Sequence, residues 1–394
     1  MRILITTVTA GAGHLQAAAA LEEAWRALRP NDVVEKVDLL DFISRLQRNV
    51  YVQGYVKLVE HAPELWGMVF KKTDNPRLVR SLTRLRRGFT ERTHRKFIRH
   101  LKAFQPHVVL CTHYAPVEIM AHLKRKGIDP LTVCIVTDFE AHALWMQPVV
   151  NLYCVAAEET RASIIARGAI PENVVATGIP IAAKFCREVE PSAVRKNLGL
   201  RDDLPVLLVL SGGFGMGPVE EILGALDKVK RLLQTLVVTG RNEELRRKLA
   251  TRDHRHPTRV LGFVTNMHEL MAVADLIITK PGGLTTSEAL AMGKPLFILN
   301  PIPGQEAANS DFLLERGAAA KVNRIEDLPF RLEQLLSPKK LKEMSRAAKR
   351  LGRPDSAKNV CQEVMKRLAE KVTPESIDRQ TANLARAGEM IGFG

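Results

Sequence analysis

The chain has 394 residues and is 46% hydrophobic, a size that predicts two globular domains, each with its own core. Its 58 Lys and Arg against 43 Asp and Glu give a formal charge of +15, which calls for an acidic partner: a phosphorylated substrate, an anionic membrane surface or nucleic acid. No helix-turn-helix or RNA-recognition signature occurs and aromatics are only 5%, which argues against a specific nucleic-acid partner; nor does any apolar run approach the ~20 residues of a membrane-spanning helix.

The chain opens on RILITT, an apolar run broken by threonines. It reads as a first strand, Arg2–Val8, and not as a signal peptide. AGAGH (10–14) follows. A dinucleotide fingerprint needs a third glycine where this chain has Gln16. What remains is His14 at the mouth of the first helix. The positive helix terminus disfavours imidazolium, and a neutral histidine facing a cleft is a competent general base.

Val33–Val37 is the second strand. Val50–Phe70 then concentrates apolar and aromatic side chains, among them Tyr55, Trp66 and Phe70. Residues 71–102 hold twelve Lys and Arg, including Lys71, Lys72, Arg86 and Arg87, against Asp74 and Glu91. An apolar aromatic segment beside a cationic helix is the pattern of an interfacial membrane anchor.

Strands His107–Thr112, Leu131–Val136 and Leu152–Val155 come next, and then a connector over 177–205. The pattern starts again at Pro205–Leu210 with SGGFGMGP (211–218). The amides of such a glycine-rich loop can wrap phosphate oxygens, although no Walker lysine follows it. After Gln234–Thr239, Arg259–Leu261 and Leu276–Thr279 comes ITKPGGLTTSEAL (278–290). Here a lysine, Lys280, precedes two glycines, Gly282 and Gly283, expected to supply positive φ and close backbone approach. They open a helix whose free N–H groups form an anion site, and Glu288 sits over a turn further on, suited to two ribose hydroxyls. Strand Pro295–Leu299 leads to PIPGQEAANS (301–310), where Gln305, Glu306 and Asn309 are the side-chain types that read several hydroxyls.

Strands alternating with helices predict parallel sheets covered on both faces. We read two Rossmann-like domains, about 1–190 and 200–350, facing each other across a cleft. Ligands should lie beyond the strand carboxyl ends. Residues 355–372 form a last amphipathic helix, and the tail from 373 carries weak signals. The five cysteines are scattered without CxxC spacing and read as reduced, buried thiols of a cytosolic protein.

The segments TAGAGH, YVKLVEHAPELWGMVFKKTDN (55–75), VTDFEAHALWM (136–146), ATGIPI, SGGFGMGP, GFVTNMHELMAVADLIITKPGGLTTSEALAMGKPLFI (262–298) and PIPGQEAAN resemble a GT-B glycosyltransferase family. That family holds the monogalactosyldiacylglycerol synthases and the processive diacylglycerol glucosyltransferases, with the lipid I GlcNAc transferase more distant. The resemblance implies inverting transfer of a hexose from a UDP-sugar to a membrane lipid hydroxyl, by a peripheral protein at the cytoplasmic face of an anionic membrane. It implies that Phe263 and its neighbours hold uracil through backbone groups. Gly213, Phe214, Gly215, Met216, Gly217, Lys280, Gly283 and Leu284 hold the diphosphate, Glu288 the ribose, and Gln305 and Glu306 the sugar. His14 activates the acceptor. Relatives often carry a run of glycines where this chain has AGAGH. Retaining members of the fold carry a second glutamate seven or eight residues before the one at 288; this chain has Pro281 and Lys280 there, which supports inversion. No DxD pair is apparent, so neither metal nor cofactor is expected. The residues leave open UDP-GlcNAc or UDP-galactose as donor, a lipid-linked cell-wall precursor as acceptor, and, on the same fold, a UDP-sugar epimerase.

Overall fold

A computed structural model describes residues 1–9, 11–75, 92–212, 217–299 and 301–370. The first half runs β1 (Arg2–Thr7), α1 (Ala12–Leu28), β2 (Val33–Asp38), α2 (Arg45–His61), α3 (Pro63–Thr73), α4 (Arg95–Phe104), β3 (Val108–Cys111), α5 (Tyr114–Lys124), β4 (Leu131–Ile135), β5 (Leu152–Val155), α6 (Glu158–Ala166) and β6 (Val174–Ala176). A short helix α7 (Pro191–Asn197) leads into the second half: β7 (Val206–Leu210), α8 (Val219–Leu226), β8 (Gln234–Val238), α9 (Glu243–Ala250), β9 (Thr258–Leu261), α10 (Met267–Val273), β10 (Leu276–Thr279), α11 (Gly283–Ala291), β11 (Leu296–Leu299), α12 (Gln305–Glu315), β12 (Ala319–Val322), α13 (Leu328–Leu335), α14 (Pro338–Leu351) and α15 (Ser356–Glu370).

Two six-stranded sheets result, ordered β2-β1-β3-β4-β5-β6 and β12-β11-β10-β7-β8-β9, and every pairing is parallel. The central strands are buried on both faces, as in VVLC of β3 and LIIT of β10. Parallel strands need that cover, because their crossover helices lie on both faces. Each sheet reverses direction once. The chain grows from β1 to β2 on one side and to β3 on the other; from β7 it grows to β8 and β9 on one side and to β10 on the other. Crevices open at such reversals, beyond the strand carboxyl ends. The turns after β1, β3, β7 and β10 therefore hold the candidate site.

β6 and β12 escape the sequence reading. Both are edge strands: one has three residues, and the other, AAKV, is alanine-rich with only Val322 fully buried. The last helix does not stay with the second sheet. Val360, Cys361 and Val364 of α15 join Ile3, Ile5, Leu21 and Trp25 in the core of the first. Burial contributes roughly 1.5–3 kcal/mol for each such valine, so α15 straps the second half of the chain back onto the first sheet.

Candidate active site

On the first-domain side, His14 occupies the third position of α1 and is half-buried. Its Nδ1 lies 2.8 Å from the Thr112 carbonyl, while the Thr112 hydroxyl donates to the His14 carbonyl at 3.1 Å. This reciprocal pair fastens the first turn of α1 to the end of β3. Thr137 Oγ1 sits 2.9 Å from the same Nδ1. A carbonyl can only accept, so Nδ1 carries the proton and Nε2 is left as the basic nitrogen. Burial lowers the pKa of His14; the charge of Asp138 and the Thr112 carbonyl push it back up. Desolvation, rather than the helix terminus, is the main cause of the lowering. The His113 ring stands edge-on to His14 at 4.8 Å, and Trp145 lies 6.4 Å away.

On the second-domain side, Lys280 directly follows β10, and a side chain at Gly217 would reach its Cε at 4.0 Å. The lysine therefore projects toward the glycine loop after β7. Gly213, Phe214, Gly215 and Met216 fall outside the described residues. Gly282 caps α11 with φ −62°, and Gly283 is likewise absent from the left-handed region, so the expectation of positive φ fails. Close approach is the reason for Gly283: a Cβ there would lie 2.0 Å from the Thr137 carbonyl oxygen. One residue on, Leu284 meets the first helix, 3.7 Å from where a Gly13 Cβ would stand. The histidine turn and the lysine turn thus abut.

A cavity of about 120 Å³ lies beside this junction, lined by Gly212, Phe263, Val264, Thr279, Thr285 and Glu288 among others. Burial pushes the Glu288 carboxyl up to about 8, against the opposing charge of Lys184. Phe263 is 60% exposed at its rim, with the Arg241 guanidinium 5.5 Å over its ring. If Glu288 binds ribose, Glu288→Ala should weaken UDP binding by ~0.5–1.5 kcal/mol, the range for hydrogen bonds between neutral groups, because the raised pKa leaves the carboxyl largely protonated at neutral pH. Titration calorimetry with UDP checks it, and an unchanged affinity would mean that Glu288 does not face the nucleotide.

Gln305 and Glu306 open α12 beside Gly304. The Glu306 carboxylate accepts from the Ile302 N–H at 2.8 Å and lies 4.0 Å from a would-be Gly282 Cβ. Its pKa is raised to about 7 by burial, with Lys280 opposing and Asp138 adding to the rise. Asn309 needs correction as a sugar-reading residue. It is fully buried; Oδ1 accepts from the Phe139 N–H at 2.8 Å, and Nδ2 donates to Asp138 Oδ1 and the Pro281 carbonyl, both at 3.0 Å. With both amide protons spent, it has none left for a hydroxyl.

The aromatic anchor also needs correction. Phe70 turns inward: its ring is 2.8 Å from a would-be Gly304 Cβ, where φ is +98°, and 4.4 Å from the His142 ring. Trp66 follows it, with centroids 6.0 Å apart. These rings join α3 to the loop before α12. The exposed apolar residues of α2 and α3 are Leu46, Val50, Tyr51, Leu65, Met68 and Val69, with Lys71 and Lys72 exposed beside them. The side chain of Tyr55, and Arg86 and Arg87 with residues 76–91, lie outside the described residues. No helix among the described residues is long and apolar enough to cross a membrane.

Sequence reasoning assigned no role to Thr137, Asp138 or Phe139, although a Thr-Asp pair closing an apolar strand was a visible signal. His113 and Trp145 were missed likewise.

Two parallel α/β domains whose reversal points meet around a histidine, a lysine and a glycine-opened helix define a protein of the GT-B fold class. The sequence profile described as monogalactosyldiacylglycerol (MGDG) synthase matches residues 14–181, and that of the glycosyltransferase family 28 C-terminal domain matches 207–360. A processive diacylglycerol beta-glucosyltransferase of Bacillus cereus is 30% identical, over 98% of both chains. The chloroplastic monogalactosyldiacylglycerol synthase of Spinacia oleracea is also 30% identical, over 94% of this chain and 73% of the other. Among solved structures, Acinetobacter baumannii MurG shares the fold with a TM-score of 0.59 at 16% identity, over 93% of this chain and 99% of that one. A putative UDP-N-acetylglucosamine 2-epimerase from Listeria monocytogenes shares it with a TM-score of 0.60 at 14% identity, over 95% and 98%. The chain belongs to the family of monogalactosyldiacylglycerol synthases and processive diacylglycerol glucosyltransferases.

Proposed function

We propose that this protein transfers a hexose, which we take to be glucose, from a UDP-sugar to the free hydroxyl of diacylglycerol with inversion at the anomeric carbon. The observation that carries this is the meeting of His14 with the Lys280–Leu284 turn across the two reversal points. Its Nε2 takes the acceptor proton as the hydroxyl oxygen attacks the anomeric carbon. The bond from that carbon to the β-phosphate oxygen breaks, and UDP leaves. Lys280 and the free N–H groups opening α11 stabilise the charge on the departing diphosphate. Glu288 holds the ribose, and Gln305 and Glu306 the sugar hydroxyls.

Labelled UDP-glucose, with vesicles containing or lacking diacylglycerol, tests the reading. Labelled extractable glycolipid is expected only with diacylglycerol. Label moving only from UDP-galactose or UDP-GlcNAc, or only to a polyprenyl-linked acceptor, changes the substrate. Turnover without any acceptor points to an epimerase. Because a lysine and a helix terminus face the leaving group, a chelator such as EDTA should leave the rate unchanged; loss restored by a divalent cation would overturn metal independence.

The acceptor is a lipid, so the enzyme must meet a bilayer. In our reading α2 and α3 lie on the cytoplasmic face of an anionic membrane, with Leu65, Met68 and Val69 in the interface and Lys71 and Lys72 beside the headgroups. Each basic residue near such a surface contributes about 1 kcal/mol. Leu65→Ser with Met68→Ser should lower co-sedimentation with phosphatidylglycerol vesicles, and added salt should weaken binding of the parent protein. Binding indifferent to both would remove this face.

A further inference from the structure

Helix α12 carries a stripe that leaves its own domain. Asn309, Phe312 and Arg316 are spaced three and four residues apart, so they share one face. Asn309 holds the Phe139 N–H and Asp138, Phe312 stacks on Phe139 with centroids 4.4 Å apart, and Arg316 pairs with Glu159. All three partners belong to the first-domain half of the chain. Asn309 also donates to the Pro281 carbonyl, in the turn that opens α11. The turn it grips has its other end on the base. Thr137 presses its carbonyl on Gly283 and sets its hydroxyl 2.9 Å from His14 Nδ1. A continuous path thus runs from α12, through Asn309 and the 137–139 turn, to the imidazole.

We propose that Asn309 is a positioning residue, which pins the Thr137–Asp138–Phe139 turn against the donor domain and thereby fixes the orientation of His14. The proposal deepens the reading of His14 as the base and rests on it. Its consequence is that the base is held in its reactive orientation only when the two domains are clamped. Asn309 does this with a fully buried amide whose three bonds go to both sides of the cleft. The charged and titratable groups around the turn and the imidazole are Asp138 in the turn itself, His14, His113 edge-on to His14, Glu306 and, through Glu306, Lys280.

A double-mutant cycle in kcat, paired with a titration of His14, tests it. Asn309→Ala and Thr137→Val are each expected to lower kcat about tenfold to a hundredfold, as loss of catalytic alignment does, with UDP affinity little changed. If both act through one path, the double variant should be no slower than the worse single one. The His14 imidazole resonance, assigned by its loss in His14→Gln, should titrate at higher pH in Asn309→Ala, because freeing the turn admits water to a ring whose basicity burial lowers. Asn309→Ser keeps one polar group and gives the same comparison if the alanine variant does not fold. Additive losses in kcat with an unmoved His14 titration would overturn the proposal. Failure of the parent protein to transfer any hexose would overturn the reaction instead, and the titration would still judge the clamp.

Discussion

Replacing His14 by alanine should lower transfer by about 10²–10⁴-fold, the usual contribution of a general base, while UDP still binds. His14, the proposed base, sits in the first domain, held by Thr112 and Thr137, whereas the cavity beside Glu288 is built by the second. Removing the imidazole would therefore take away the proposed proton abstraction and leave the cavity beside Glu288 whole. The parent enzyme's pH profile follows from the same geometry. A base acts when neutral, so the rate should fall on the acid side as His14 protonates. Burial lowers its pKa below the ordinary 6.5, which places that fall below the usual histidine range and keeps activity flat through neutral pH. Initial rates between pH 5 and 8, with calorimetric UDP binding for the variant, check both statements. Undiminished transfer by His14→Ala would move the base elsewhere, and an acid limb above the ordinary range would contradict the buried, neutral ring.

How much of this was legible follows the physics of each feature. The sheet positions in runs such as PVLLVL and ADLIIT announce themselves, since a strand buried on both faces is apolar nearly throughout. The edge strand β6, with three residues, carries no such constraint, and VVA has no pattern to read. Glycine turns and His14 were visible because they are rare residue types at strand ends. What those residues touch was not. Gly283 looked like a positive-φ glycine, yet it is a contact point for the Thr137 carbonyl. Asn309 looked like a ligand for hydroxyls because amides serve equally for ligands and for backbone groups 170 residues away in sequence. Phe70 and Trp66 looked like an anchor, because aromatic rings suit either a bilayer or a loop containing Gly304. Sequence gives the chemistry of a side chain; only the fold gives its direction.

Gly283→Ala should be the most damaging single methyl group in the cleft, lowering kcat by about a hundredfold. Neither backbone strain nor helix propensity is the reason. Gly283 does not occupy the left-handed region, and alanine favours helices. The cause lies across the cleft: the new Cβ would stand 2.0 Å from the Thr137 oxygen, 3.0 Å from its carbonyl carbon and 3.2 Å from Asp138 Oδ1. Two of those three atoms are backbone, so no side-chain rotation relieves the clash and the turn or the domain must retreat. Retreat draws the Thr137 hydroxyl from His14 and Asp138 from Asn309. A misplacement of about 1 Å at a reacting centre costs on the order of 10²-fold. Gly282→Ala is the control, since its nearest neighbour would be Glu306 Oε1 at 4.0 Å and its φ of −62° suits any residue. Steady-state transfer by the two variants, with UDP affinity measured alongside, separates the cases. A slow Gly283→Ala beside a nearly normal Gly282→Ala places the working enzyme in the clamped arrangement. Equal rates for both would show that transfer proceeds with the Thr137 turn lifted from α11, and the roles of Thr137 and Asn309 in holding the base would fall with it.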